Sequence, residues 1–342
     1  MSAPTLAGLP SAPGTDPASA GPVPGTARRS FARRLLVHAL GSIAVLFTVV
    51  TATFFALVLV PGDPVVAILG GAGSSPSAET VAAVRAEYGL DQPVLVRYVD
   101  YLGGLVQGDF GTSYVFKSPV AEHLMPQVWP TLELTLASLA LAWVLSLALT
   151  LFTVRRGRVA DAVGRGIEVL FAAIPPFWIA IVLLVVFAFN LGWFPVAGAS
   201  EPRYLVLPAL ALGIPLAGFL AQVTRESFDD ALSQPFALTA RARGASDWRV
   251  RTTHALRHAL LPGLTLSGWA IGSLISGAVV AEVIFARQGL GRSLVDAIVA
   301  RDAPIVLAVV FFIGVVYIVV NLGIDLLYRV VDPRIARKEG TS

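Results

Sequence analysis

Six long apolar runs, at residues 35–60, 131–154, 167–190, 204–223, 263–286 and 304–328, dominate this chain and leave it few folds. Each approaches or exceeds the ~20 residues that an α-helix needs to cross a bilayer. The fourth is the shortest and contains Pro208 and Pro215, which membrane helices tolerate when neighbouring groups satisfy the freed carbonyls. Charged residues make up 14% of the 342, against about 25% in a typical soluble domain. The expectation is an all-α polytopic membrane protein with six transmembrane helices. With no cysteine anywhere, disulfides, thiolate metal sites and cysteine nucleophiles are excluded.

The basic residues predict an orientation. Four lie in the 1–34 tail, four in the 155–166 turn, six in 224–262 and four after 328, while seven fall on the other side of the membrane. Lys and Arg accumulate on the cytoplasmic side, so both termini are expected in the cytoplasm of a multi-pass plasma-membrane protein. Trp129, Trp193 and Tyr204 then sit at outer boundaries, where interfacial aromatics belong. Residues 1–34, rich in Pro, Gly, Ala and Ser, read as a disordered cytoplasmic tail, and 329–342 as a second tail. The 35–60 run is too long for a signal-peptide core.

Between the fourth and fifth runs, residues 224–262 carry six arginines. At roughly 2.5–3.5 kcal/mol for each arginine at a bilayer centre, this segment stays outside the hydrocarbon. It has small residues, Thr239, Ala240 and Ala242, ahead of a turn-forming Gly244, and then a second helical pattern that Pro262 is expected to stop. Such a pattern suits a short docking helix at the cytoplasmic face, with a polar rim of arginines. On the other side, 61–130 is long and partly helical. Ser75 is positioned to cap a helix begun at Pro76 and ended by Gly89, and Asp91 and Pro93 to begin another that runs out near Gly103–Gly104. Two short amphipathic helices suit either a docking collar or a lid on the span ends.

Catalytic motifs are near misses. Gly111 and Lys117–Ser118 have phosphate-loop spacing, but Phe116 replaces the second glycine that the backbone nest requires. His254 and His258 are four apart, yet Ala255 stands where a zincin helix has its glutamate. No Ser/His/Asp set can be assembled, so neither an enzyme nor a metal site is expected. Glu133, Glu282, Asn321 and Asp325 are polar groups near the ends of the spans, and such groups mark functional sites by default. Around Glu282, span five carries Ser267, Gly268, Gly272, Ser273, Ser276 and Gly277, which read as close packing or as a polar path.

A series of short motifs runs from span one to the end: Val60-Pro-Gly-Asp-Pro64, Tyr88-Gly-Leu-Asp-Gln-Pro93, Gly108-Asp-Phe-Gly-Thr-Ser113, Pro130-Thr-Leu-Glu-Leu134, Ile174-Pro-Pro-Phe-Trp178, Leu191-Gly-Trp-Phe-Pro195, Leu205-Val-Leu-Pro-Ala-Leu210, Gln288-Gly-Leu-Gly-Arg292 and Asp332-Pro-Arg334. In this order the chain resembles the transmembrane permease subunits of binding-protein-dependent ABC importers, in the dipeptide/oligopeptide and nickel branch. The 238–262 stretch is similar to that family's coupling loop. The general Glu-Ala-Ala pattern is replaced by Leu238, Thr239 and Ala240, whereas Thr239–Gly244 and His254–Pro262 follow the peptide branch. The resemblance implies a pore subunit that pairs with a second homologous permease subunit, two ATP-binding subunits and an extracytoplasmic solute-binding protein. It implies a peptide substrate, no nucleic acid, and no cofactor in this chain, with ATP-Mg in the partner subunits. Phe236, Thr239, Ala240, Arg241, Ala242, Arg243, Gly244 and His254 are the expected ATPase-coupling residues. Trp178, Ser273 and Glu282 are the expected translocation pathway. A nickel or metallophore importer shares this architecture. A stand-alone secondary carrier would show inverted repeats or broken spans with several buried carboxylates, and a membrane scaffold would not need the motif series.

Overall fold

The computed structural model describes residues 24–69, 76–198 and 201–331, with the side chains of 24–39, 67, 321 and 324–331 excepted. The chain is an all-α polytopic membrane protein, and among the described residues the only bridge between extended segments joins Thr112 and Pro119. Among the described residues five helices are long and apolar enough to cross a membrane, or six if one bent pair is a single span.

All but the last residue of the first run lies within α1 (Pro24–Leu59). This helix begins inside the segment expected to be a disordered tail. Proline suits a first helical turn, and the Ala and Arg residues that follow are good helix formers. Three short helices come next: α2 (Pro64–Ile68), α3 (Ala78–Glu87) and α4 (Val94–Gln107). The cap of α3 is Ser77, whose hydroxyl accepts from the Thr80 N–H at 3.2 Å; Ser75 lies outside the described residues. Gly103 and Gly104 do not end α4, which runs on to Gly108 at φ +78°, a left-handed conformation that glycine adopts without a Cβ clash.

The second run is expected to start at 131, but α5 (Val120–Thr153) begins three turns earlier and passes through Pro126 and Pro130. The third is not one straight helix. Its segment divides into α6 (Arg158–Ala173) and α7 (Pro176–Leu183), which continues as a π-helical turn over Leu184–Asn190, and the two parts meet at 96°. The cause is the Pro175–Pro176 pair. Neither residue supplies an N–H, and a following proline drives Ile174 and Pro175 into extended conformations, at ψ 127° and 135°.

Helix α8 (Arg203–Ser233) extends a full ten residues past the expected end of span four. After α9 (Pro235–Ala242) come α10 (Asp247–Arg249), a π-helical turn (Val250–Ala255) and α11 (Leu256–Ile284), which form one uninterrupted run. Pro262 therefore does not stop the second helical pattern; it lies inside α11. The 224–262 segment is thus mostly helix. A helix absent from the sequence reading, α12 (Leu290–Ala300), precedes α13 (Ala303–Val331).

The centre of the fold is α8, packed by α5, α6, α7 and α11. Its span is 61% buried within the chain, whereas that of α1 is 11% buried and presents its apolar surface outward. Small residues make the close approach possible. A Cβ on Gly218 would stand 2.5 Å from the Ala172 nitrogen and 2.6 Å from the Glu168 oxygen, both backbone atoms of α6. Gly218→Ala is therefore expected to push α6 off α8 and cost about 1–3 kcal/mol, read as a lower unfolding temperature in detergent. Gly166→Ala, whose Cβ meets nothing within 4 Å, is the control. Equal unfolding temperatures for the two variants would refute this account of the α6–α8 contact.

Candidate functional site

Two constructed regions lie at opposite ends of the molecule. The first surrounds α9. Ala237 is fully buried among Phe228, Ala231, Leu232, Val250, Ala255, Ala259 and Val154, so one face of α9 is anchored in an apolar cluster. The Phe236 ring lies 4.9 Å from that of His258. Gly244, at φ +84°, closes the helix: its N–H donates to the Arg241 carbonyl at 2.9 Å and that of Ala245 to the Ala240 carbonyl at 3.1 Å. Ser246 then caps the next helix by accepting from the Arg249 N–H at 3.3 Å.

Phe236, Thr239, Ala240, Arg243, Gly244 and His254 line one hollow of about 550 Å³, together with Ala245 and Arg249. Six of the eight expected coupling residues are thereby brought together. Arg241 and Ala242 lie outside that lining. Arg241 turns instead to Asp247, at 3.4 Å, which Arg156 also approaches at 3.6 Å. The sequence reading omitted Ala245 and Arg249.

Two of the six arginines assigned to a polar rim are buried. Arg251 donates to the Leu151 and Val154 carbonyls at 2.9 and 2.6 Å, at the C-terminal end of α5, and its guanidinium lies 5.1 Å from the Phe228 ring centroid. The orphan carbonyls at a helix C-terminus carry partial negative charge, which a cation there satisfies. The signal was present in the spacing, because Arg251 shares a helix face with Ala255 and Ala259, which are both buried. Arg225 donates from Nε to both Glu168 carboxylate oxygens at 2.8 Å, from Nη1 to Asp161 at 2.7 Å, and also contacts Thr153. It ties α8 to α6 and to the end of α5.

The opposite end gathers three of the short sequence motifs around two buried carboxylates, Glu282 and Asp302. Glu282, 0% exposed, accepts from the Thr131 hydroxyl at 2.6 Å and from the Arg292 N–H at 3.0 Å. Thr131 in turn accepts from the Leu290 N–H at 2.8 Å. A Cβ on Gly289 would stand 2.2 Å from the Glu282 carboxyl carbon, and one on Gly291 2.4 Å from the Val279 Cα, so the glycines of the 288–292 motif are what let the turn close over the glutamate. Arg287 is buried and pairs with Glu133 at 2.6 Å. Asp302, also buried, accepts from the Ser113 hydroxyl and from the Tyr114 and Val115 N–H groups at 3.2 Å, pinning the 108–113 motif to the start of α13.

Of the expected pathway residues, Trp178 is 52% exposed and Ser273 is also exposed, whereas Glu282 is buried and accepts from the Thr131 hydroxyl and the Arg292 N–H. The side chains of Asn321 and Asp325, and the Asp332–Arg334 motif, lie outside the described residues. Lys117 sits in a tight turn at φ +54°, and the Ser118 hydroxyl is 2.6 Å from His123 Nε2, as suits a surface loop and not a phosphate cradle. Near this end a second hollow, of about 510 Å³, is bounded by α1, α4 and the start of α13, with Arg97, Asp100, Tyr101 and Tyr114 in its walls. Burial pushes the Tyr101 phenol up to about 12.

Comparison with known proteins agrees with this architecture. The family described as "Binding-protein-dependent transport system inner membrane component" matches residues 139–337, and its N-terminal companion, "Binding-prot-dependent transport system membrane comp, N-term", matches residues 31–135. The chain is 38% identical over 305 residues to the glutathione transport system permease protein GsiC of Salmonella choleraesuis (strain SC-B67), covering 89% of this chain and 99% of that one. It is likewise 38% identical over 300 residues to GsiC of Escherichia coli (strain K12), covering 87% and 97%. A solved structure of the MetNI methionine ABC transporter in an inward-facing conformation has a chain that matches at a TM-score of 0.51 and 20% identity, over 61% of this chain and 96% of its own, a likeness of fold.

Arg251→Leu is expected to leave the Leu151 and Val154 carbonyls without their charged donor, a loss of roughly 1.5–3 kcal/mol. It should loosen the α9 platform and speed tryptic cleavage after Arg241 and Arg243. Cleavage at the wild-type rate would mean that the apolar cluster alone holds α9.

Proposed function

Because the chain belongs to the inner-membrane components of binding-protein-dependent transport systems, as its match over residues 139–337 shows, we propose that it is one half of the pore of an ATP-driven importer of small peptides. A second permease subunit completes the pore, two ATP-binding subunits dock against the α9 end in the cytoplasm, and a solute-binding protein delivers substrate at the other end. The resemblance to the dipeptide/oligopeptide branch supports a peptide substrate. So do relatives named for transport of glutathione, itself a tripeptide. A nickel or metallophore importer is the second reading within the same architecture. A stand-alone carrier is disfavoured by the constructed platform at α9, for which a carrier has no use.

The observation that carries the coupling role is that α9 is a short helix with one face fixed in the apolar cluster and the other exposed beside a hollow. A body gripped in this way moves as a unit with α8 and α11. Small residues on the exposed side let a partner approach closely, and Arg243 and Arg249 supply positive charge to an acidic rim. Closing of the ATPases on ATP would push α9, and its packing against the ends of α8 and α11 would carry the push to the spans.

Ala240→Glu is expected to abolish stimulation of ATP hydrolysis by substrate-loaded binding protein while membrane insertion persists. It places a buried-edge charge in the hollow without touching the spans. Wild-type stimulation in an Ala240→Glu complex would reject the coupling role. For the pathway, photo-crosslinkers at Trp178 and Ser273 are expected to capture substrate during turnover and one at Glu282 to capture none. Capture at Glu282 alone would reverse the assignment.

A further inference from the structure

We propose that α4 is an interfacial helix, with the stripe formed by Leu95, Val99 and Val106 immersed in the lipid leaflet at the α12 end of the molecule, and that it is not a docking surface for another protein. At 100° per residue these three side chains fall within about 40° of one another around the helix. They are 68%, 63% and 89% exposed. Such a continuous apolar stripe, turned away from the chain's own core, requires an apolar occupant.

The rest of the helix shows which occupant. Tyr98 and Tyr101 form its protein-facing side: Tyr98 shares a 2.7 Å hydrogen bond with Thr51, and Tyr101 stacks on Phe54 with centroids 5.9 Å apart. Both partners belong to α1, whose apolar run covers residues 35–60. Thr51 and Phe54 lie about 12 and 7.5 Å before Leu59, where α1 ends. Helix α4 is thereby held beside the apolar outer stretch of α1 and not beyond its end. The lipid-facing surface of α1 itself continues to Val58 and Leu59, so the α4 stripe adjoins a surface that already meets acyl chains.

Polarity around α4 completes the argument. Arg97, Asp100 and Gln107 occupy the side opposite the stripe, about 100–180° from its centre, and Arg97 and Asp100 wall the 510 Å³ hollow. One side thus faces protein, one faces lipid and one faces water, the arrangement of a helix lying in the plane of an interface. Helix α3 lacks this pattern: its exposed residues are mainly Ala and Glu.

The absence of cysteine makes the test clean, since any introduced thiol is the only one in the chain. Leu95→Cys, Val99→Cys, Val106→Cys and, on the water side, Gln107→Cys would each be labelled with bimane. The full transporter, with cysteine-free partner chains, would then be reconstituted in phosphatidylcholine vesicles with and without brominated acyl chains. Labels at 95, 99 and 106 are expected to lose fluorescence to the bromines and to resist aqueous iodide, while the label at 107 shows the reverse. The proposal is overturned if bromine quenches the first three no more than it quenches 107. It is equally overturned if iodide reaches them until the binding protein or the second permease subunit is added, which would assign the stripe to a protein partner.

Discussion

No water completes the hydrogen bonds of a charge buried in the protein interior, so each such group must find its partners within the chain. Four side chains in this chain show how that constraint organises the fold. Glu282 is met by Thr131 and a backbone N–H, Asp302 by Ser113 and two N–H groups, Arg225 by Glu168 and Asp161, and Arg251 by two helix-terminal carbonyls. Each joins elements that lie far apart in the chain. Removing one partner would strand a charge, so these contacts specify geometry even where their net contribution to stability is small.

The four divide between the two ends of the molecule and serve different purposes there. At the α12 end, Glu282 and Asp302 fold two connections, 108–118 and 286–302, down onto the ends of α5, α11 and α13. At the α9 end, Arg225 and Arg251 fasten α6, α8 and α11 to the end of α5. The helices between are packed by small residues, as the contact of Gly218 with α6 shows. A bundle with close-packed helices and pinned ends transmits displacement from one end to the other, because packed interiors have little room to absorb strain. That is the mechanical property an importer subunit requires.

Legibility in the sequence followed the physics. Long apolar runs are visible because bilayer thickness sets a minimum length, and the Gly244 turn is visible because few residue types do that job. The 96° break at Pro175–Pro176 leaves little trace in the sequence, since apolarity continues on both sides of it. Helix α12 escaped because its polar and apolar residues alternate at helical spacing over only three turns. Arg251 looked like rim charge in a basic segment, although Ala255 and Ala259 on the same face mark a buried position.

By itself the sequence determined that this is a membrane-spanning helical chain, that it carries a basic helical segment between two spans, and which family's motifs it bears. Those properties are local: length, polarity and residue type suffice to express them. Only the tertiary structure decided that Glu282 is buried while Trp178 and Ser273 stay exposed, that two arginines are anchors, and that Tyr98 and Tyr101 hold α4 against α1. Burial and partnership depend on which elements meet, and Thr131 and Glu282, 151 residues apart in the chain, meet only once α5 and α11 pack side by side.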